Sequence, residues 1–195
     1  MLLEQAPGLA TMPAFSVLDN ELARRWQAGD HAAAEQLIDR HLPRLRAFLV
    51  ARSGDASEAD DLAQEVFLAI CQQIDAYRAD LLFSAWLYGI ARKKVADFWR
   101  RRKPSEPFDA THEGVDYLTP ARVHEEGEAG ARAWAEVFAR LSEAQATALW
   151  LRVQEEFSLE EIAQALDVTL ANAKVLLFRA RQAMAAHWKS RSIVS

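Results

Sequence analysis

Seven cations crowd into the twelve residues from Arg92 to Lys103: Arg92, Lys93, Lys94, Arg100, Arg101, Arg102 and Lys103, with Asp97 the one acid among them. Trp86, Tyr88, Phe98 and Trp99 lie beside and between them. Cationic side chains neutralise phosphates, and aromatic faces stack on unpaired bases. The pair of properties suits DNA that is being opened rather than read as a closed duplex. A second cationic zone follows Asp167, where five basic residues and no acids occur before the chain ends. The formal net charge is −5, but residues 104–131 alone carry seven acids against one base. A polyanion responds to the local field, so the acidic total does not exclude nucleic acid.

Groups suited to other chemistry are present but not assembled. His31, His41, His112, His124 and His187 are scattered, and no HExxH, P-loop or GxSxG pattern occurs. The carboxylate pairs Asp60-Asp61, Glu125-Glu126, Glu155-Glu156 and Glu160-Glu161 have no matching nucleophile nearby in the sequence, so each reads as a solvated face. One cysteine, Cys71, allows neither an internal disulfide nor a cysteine-rich zinc site, and its apolar helical context places it in the core. No apolar run approaches the ~20 residues of a membrane span, and Met1 to Phe15 lack a basic secretory n-region. The expectation is a cytoplasmic binding protein without catalytic residues, metal, cofactor or membrane insertion.

The elements that must carry these residues are helical. Gly and Pro are scarce, Ala and Leu frequent, and no segment of useful length shows strand alternation. Residues 1–18 lack periodicity and read as loosely ordered. Asp19 is placed to cap a first helix through Leu22 and Trp26. Leu37, Ile38, Leu42, Leu45, Phe48 and Leu49 stripe a second helix over 32–52, which Pro43 should bend or split. Ser57 with Asp60 resembles a capping box for a third helix that buries Leu62, Val66, Phe67, Ile70 and Ile74. A long helix over 84–102 follows. Its buried stripe is Leu87, Ile90, Ala91, Val95 and Phe98, which turns Gly89, Arg92, Lys93, Ala96, Trp99, Arg100 and Lys103 outward. Residues 104–130 hold three prolines, three glycines and most of the surplus acid, the composition of a linker. Helical patterns resume over 131–141, 143–154, 159–166 and 170–188. The fold class is therefore all-α: two small helical domains, 19–103 and 131–190, joined by a flexible acidic linker.

The second domain carries the sharper local signal. Ser158 and Glu161 form a capping box; a helix of about two turns follows; Thr169 caps the next, longer helix. Short helix, tight turn and long helix is the helix-turn-helix layout, whose second helix lies in the major groove. With Ala173, Leu176, Leu177, Ala180 and Met184 inward, the exposed face offers Ala171, Asn172, Val175, Phe178, Arg179 and Gln182, with Lys174 and Arg181 on its flank and Thr169 at its start. Asn reads adenine edges, Phe touches thymine methyls, and the cations hold phosphates or read guanine.

In the first domain Asp61, Gln64, Glu65 and Leu68 share an outer helix face beside Asp60. An acidic and amide face ending in an exposed leucine suits a basic partner helix.

In this order the segments resemble the extracytoplasmic-function (ECF) sigma factors of the sigma-70 family. Asp60 to Phe67 is similar to the family's region 2.2, which grips the clamp helices of the polymerase largest subunit. Trp86-Leu87, Ile90-Ala91-Arg92, Asp97 and Arg100 match the region 2.3–2.4 pattern, which melts and reads the minus-ten element. Glu161-Ile162-Ala163, Lys174 and Phe178-Arg179-Ala180-Arg181 match region 4.2, which reads the minus-thirty-five element. The resemblance implies core RNA polymerase and promoter DNA as partners, and an anti-sigma factor that covers these faces. It assigns polymerase docking to Asp60, Asp61, Gln64, Glu65 and Leu68. It assigns minus-ten contacts to Trp86, Tyr88, Arg92, Lys93, Trp99, Arg100, Arg101 and Lys103. It assigns upstream contacts to Thr169, Ala171, Asn172, Lys174, Val175, Phe178, Arg179 and Arg181. Two departures stand out: Lys93 where the family commonly has Asn, and Leu176 where its recognition helix often carries Arg. The competing readings are a stand-alone helix-turn-helix regulator, which leaves 60–103 without a role, and a helical adaptor.

Overall fold

The structure, a computed structural model, describes the backbone of residues 14–78, 81–102 and 137–192 and the side chains of 18–78, 81–102 and 137–185. Within these limits there are seven α-helices, one 3-10 turn and no strand. The proposed linker, Lys103 and most of the expected helix over 131–141 lie outside them.

Helix α1 (Ala14–Gln27) ends at Gly29, whose φ of +94° turns the chain where a side chain would be strained. Asp30 then caps α2 (His31–Ser53) by accepting from the Ala33 amide at 3.2 Å. Helix α2 runs unbroken through Pro43, contrary to the expected bend or split. Pro43 is exposed, so the carbonyl that loses its partner faces water. Gly54 closes α2 in the left-handed region. Helix α3 (Ala56–Gln73) is capped by Asp55, which accepts from the Glu58 amide at 3.0 Å. The expected Ser57/Asp60 box does not form; Asp60 pairs with Arg46 of α2 instead, at 2.6 Å. Cys71 is exposed rather than in the core, one position past Ile70 and off the stripe of Leu62, Val66 and Ile70.

A 3-10 turn (Ile74–Ala76) leads toward α4 (Phe83–Arg102). Asn20, buried on α1, holds this junction. It accepts from the Tyr77 hydroxyl at 2.9 Å and the Phe83 amide at 3.1 Å, and donates to the Leu81 carbonyl at 3.1 Å. Residues 14–18, expected to be loose, belong to α1, and Asp19 lies within that helix rather than at its cap. Asp19 accepts from Arg40 Nε at 2.8 Å and sits 2.9 Å from His41 Nε2. Burial raises its carboxyl pKa, but the hydrogen bonds and charges of His41 and Arg40 outweigh that and hold it below the ordinary value. A carboxylate favoured by the fold contributes stability above its unfolded pKa of ~4 and loses it as pH falls through the lower folded value. Asp19→Asn is therefore expected to flatten the fall in urea midpoint on the acid side of pH 4.

Three more helices follow: α5 (Glu143–Val153), α6 (Leu159–Leu166) and α7 (Leu170–Ser192). Both α5 and α6 start in reciprocal capping boxes, Ser142 with Gln145 and Ser158 with Glu161. Ser158→Ala removes the acceptor for the Glu161 amide and is expected to cost about 1 kcal/mol, a fall of roughly 2–4 °C in Tm by thermal unfolding.

Helices α1 to α4 pack around Leu22, Leu37, Leu49, Leu62, Ile70 and Leu87. Helices α5 to α7 pack around Leu149, Ile162, Leu166, Ala173 and Leu177. The two sets are in contact: α4 packs on α6, and the apolar interior is continuous from one to the other. Phe48 meets Trp150 edge-on at 5.7 Å, and Tyr88 meets Phe157 at 6.0 Å.

Candidate polymerase and nucleic-acid interface

Helices α6 and α7 are joined by Asp167-Val168-Thr169. Asp167 takes a left-handed backbone (φ +56°, ψ +51°), and its amide and that of Val168 close the end of α6 on Gln164 and Ala163 carbonyls. Asp tolerates this region better than most residues, so no glycine is needed. Thr169 Oγ1 accepts from the Asn172 amide at 3.2 Å and starts α7. Ala173, Leu177 and Ala180 face α5 and α6 and are buried; Leu176 and Met184 are half-buried. Thr169, Ala171, Asn172, Lys174, Val175, Phe178, Arg179 and Arg181 are all exposed. Val175 and Phe178 are 43% and 60% exposed. The two lie between Lys174 and Arg179 in the sequence, so exposed apolar and cationic groups adjoin on this stretch of α7.

On α3, Asp60, Asp61, Gln64 and Leu68 are exposed and Glu65 is half-buried, so the five share one accessible face. Leu68 is 60% exposed. The acids differ in their commitments. Asp60 is held by Arg46, which keeps its carboxyl below the ordinary value. Glu65 lies 3.6 Å from Lys94 Nζ and 3.4 Å from Arg101 Nη2. Asp61 makes no ion pair with any other described residue.

The outward side of α4 is less free than its composition implies. Lys93 is exposed, as are Arg100 and Arg101. Arg100 pairs with Asp97 at 2.7 Å, and Arg102 pairs with Glu58 at 2.6 Å while lying 4.6 Å from the centre of the Phe98 ring. These are exposed pairs, each worth up to about 1 kcal/mol, which a phosphate can displace. Trp99 is half-buried, and its indole N–H donates to the Arg52 carbonyl at 3.2 Å. Trp86 is half-buried against Tyr77 and Phe83.

Two residues expected to contact the minus-ten strand are covered. Tyr88 is 1% exposed, enclosed by Phe48 and Phe157. Burial and the neighbouring Glu155 carboxylate push its phenol pKa well up. Arg92 is half-buried, with Nη1 3.4 Å from Glu143 of α5. Ala96, also expected outside, is buried. The cause is common to all three. Helix α4 is covered on one side by α1, α2 and α3 and on another by α6, whereas a single stripe allows for one covered side.

The sequence reading missed the residues that join the two sets of helices. Arg44 of α2 lies 3.5 Å from Glu155, whose side chain is 5% exposed, and the Arg52 guanidinium lies 5.2 Å from the Phe138 ring centre. Gly89 is the one sequence signal that could have found this contact, because a glycine inside a helix is unfavourable without a packing reason.

The Sigma-70 region 2 family profile matches residues 37–104, and the Sigma-70 region 4 profile matches 131–184. The RNA polymerase sigma-H factor of Pseudomonas aeruginosa is 30% identical over 177 residues, 85% of this chain and 91% of the relative. The chain belongs to the sigma-70 family of RNA polymerase sigma factors. The ECF RNA polymerase sigma factor SigW of Bacillus subtilis is 27% identical over 166 residues, 80% of this sigma factor and 89% of SigW. Among solved structures, the sigma factor RpoE of Bartonella quintana, in complex with the anti-sigma factor NepR, superposes with a TM-score of 0.61. The match covers 80% of this sigma factor and 96% of that chain at 24% identity. The all-α fold with a region 2 unit and a region 4 unit is thus that of ECF sigma factors. No helix among the described residues is long and apolar enough to cross a membrane.

Proposed function

We propose that this sigma factor docks on core RNA polymerase through the α3 face of Asp60, Asp61, Gln64, Glu65 and Leu68, and directs initiation in the cytoplasm through two separate DNA surfaces. The face of α4 with Trp86, Arg92, Lys93, Trp99, Arg100 and Arg101, followed in the sequence by Lys103, takes the opened minus-ten strand. The face of α7 with Asn172, Lys174, Val175, Phe178, Arg179 and Arg181, flanked by Thr169 and Ala171, reads the minus-thirty-five duplex. The observation that carries this reading is the exposed α7 face behind a capped two-helix unit, in a chain whose other unit offers an accessible acidic face on α3. Two modest DNA contacts become strong when one carrier holds both, because the second binding event is then intramolecular. The chain acts as a binding subunit, and the polymerase supplies the chemistry. An anti-sigma factor is the natural antagonist of such surfaces, as NepR is the partner of the Bartonella RpoE in its complex.

Run-off transcription with purified core polymerase on a genomic fragment library tests the assignment. Discrete transcripts that require this chain are expected, from start sites sharing paired upstream elements. Transcripts independent of the chain would refute it.

A further inference from the structure

Helix α4 carries the strand-contacting face proposed above, and that face is only as fixed as the first turn of the helix. The first amides of a helix find no partner within it and need one from outside. Leu82, just before α4, has no side-chain acceptor. The Phe83 amide is met from α1 instead, where Asn20 Oδ1 accepts from it at 3.1 Å. The same oxygen lies 2.9 Å from the Tyr77 hydroxyl, and Asn20 Nδ2 donates to the Leu81 carbonyl at 3.1 Å. One amide orientation suits these neighbours, since the reverse would set an NH2 group against the Phe83 N–H.

Two turns along the same face of α1, Gln27 holds the other side of the connector. Its Nε2 donates to the Ile74 carbonyl at 2.8 Å and to the Tyr77 carbonyl at 2.9 Å. These two carbonyls bracket the 3-10 turn Ile74–Ala76, and they use both amide hydrogens. Between them Asn20 and Gln27 hold Tyr77 at its hydroxyl and at its backbone. Helix α1 is itself tied down: Asp19, next to Asn20, is held by Arg40 and His41 of α2, and the His41 ring lies 5.4 Å from that of Phe83.

Tyr77 is what Trp86 rests on. The ring centres of Tyr77 and Trp86 are 5.1 Å apart, and Phe83 closes the cluster at 5.7 Å from Tyr77 and 5.9 Å from Trp86. A ring anchored at both ends has little freedom to swing, so its contact sets the tilt of the indole that leans on it. Stacking on an unpaired base needs that tilt, because the two ring faces must meet. Asn20 and Tyr77 are buried, so neither reaches DNA itself; each acts through Trp86.

We propose that Asn20 and Gln27 are positioning residues for promoter opening: from α1 they fix Tyr77 and the start of α4, and so set the Trp86 indole on which a base of the opened strand stacks. The proposal rests on the reading of Trp86 as a strand contact.

Holoenzyme assembled from core polymerase and the full chain, on a duplex promoter obtained from the run-off experiment, provides the test. Permanganate oxidation of unpaired thymines reads the rate of opening. Trp86→Ala should slow it about tenfold through the lost stacking. Asn20→Ala should slow it by a similar factor, because a displaced group loses most of what a deleted one loses. The double variant should open no more slowly than Trp86→Ala alone, whereas independent effects would multiply. Affinity of the chain for core polymerase should be unchanged in all three. Gln27→Met keeps the stem and removes the amide, and should act in the same direction with the same loss of effect beside Trp86→Ala. It decides the matter if Asn20→Ala fails to fold, which circular dichroism and the urea midpoint reveal. Losses that multiply, or wild-type opening by the folded α1 variants while Trp86→Ala is slow, overturn the positioning role and leave the Trp86 contact standing. Wild-type opening by Trp86→Ala overturns that contact and the proposal with it.

Discussion

Arginine at position 61 is expected to weaken binding to core polymerase by at least about 100-fold, roughly 3 kcal/mol, without lowering the unfolding midpoint. Asp61 is the acid on the α3 face that suits this test. It is exposed and makes no ion pair with any other described residue, so reversing it breaks no ion pair among them. Surface substitutions of that kind usually stay within about 0.5 kcal/mol in stability. A basic partner helix would instead meet a like charge at close range, which costs several kcal/mol. The neighbouring acids give a less clean answer. Asp60→Arg would strand Arg46, and Glu65→Arg would face Lys94 and Arg101, so either change would mix docking with local repulsion. Fluorescence anisotropy of labelled chain against core polymerase measures the effect. Wild-type affinity in the folded variant would remove the docking assignment.

Arg179→Ala is expected to reduce binding of the holoenzyme to promoter duplex by about 1–3 kcal/mol and to relax preference at one upstream base pair. Arg179 is exposed next to Phe178 on α7, on the side away from Ala173 and Leu177. Lys174 lies on the flank, and Lys174→Ala should weaken all sequences alike while lowering the salt slope by about one. Measuring both variants on the promoter, and on copies with each upstream base changed, separates base reading from phosphate contact. A uniform loss for Arg179→Ala would move it to the phosphate class. The position that commonly carries Arg in the family holds Leu176 here, half-buried against the core. On the proposed reading, base contacts fall to Asn172 and Arg179 and to the apolar pair Val175 and Phe178, all of them exposed.

Local signals in the sequence proved most legible where one helix covers one face. Helix α6 has the bounds its capping box and turn predicted, and the inward stripe of Ala173, Leu177 and Ala180 on α7 is buried as spacing required. The α3 face of Asp61, Gln64 and Leu68 is exposed for the same reason. Tertiary competition decided the rest. Asp19 was free to cap a helix by local rules, but Arg40 and His41 of α2 take both of its oxygens inside α1. Tyr88 and Arg92 lie off the first buried stripe of α4, yet a second covering from α5 and α6 takes them. Periodicity within one segment has no means of announcing that second neighbour. Gly89 did so indirectly, since its helix-weakening effect needs a compensating close contact.

The ion-pair pattern links the proposed docking and DNA faces. Glu65 on α3 neutralises Lys94 and Arg101 on α4, and Glu58 neutralises Arg102. A basic polymerase helix that engages Glu65 would compete with those cations and free them toward phosphate. Exposed pairs exchange readily because each contributes little, so docking through the proposed α3 face would strengthen the field at the proposed strand-contacting face.

The most direct test is a mobility shift on one promoter fragment, carrying both elements and a premelted minus-ten segment, with and without core polymerase. The account predicts a specific, slowly dissociating complex only when polymerase and this chain are present together, with the chain alone at most weakly retarding the duplex. A tight, sequence-specific complex formed by the chain alone, unchanged when core polymerase is added, would contradict it and mark a self-sufficient helix-turn-helix regulator.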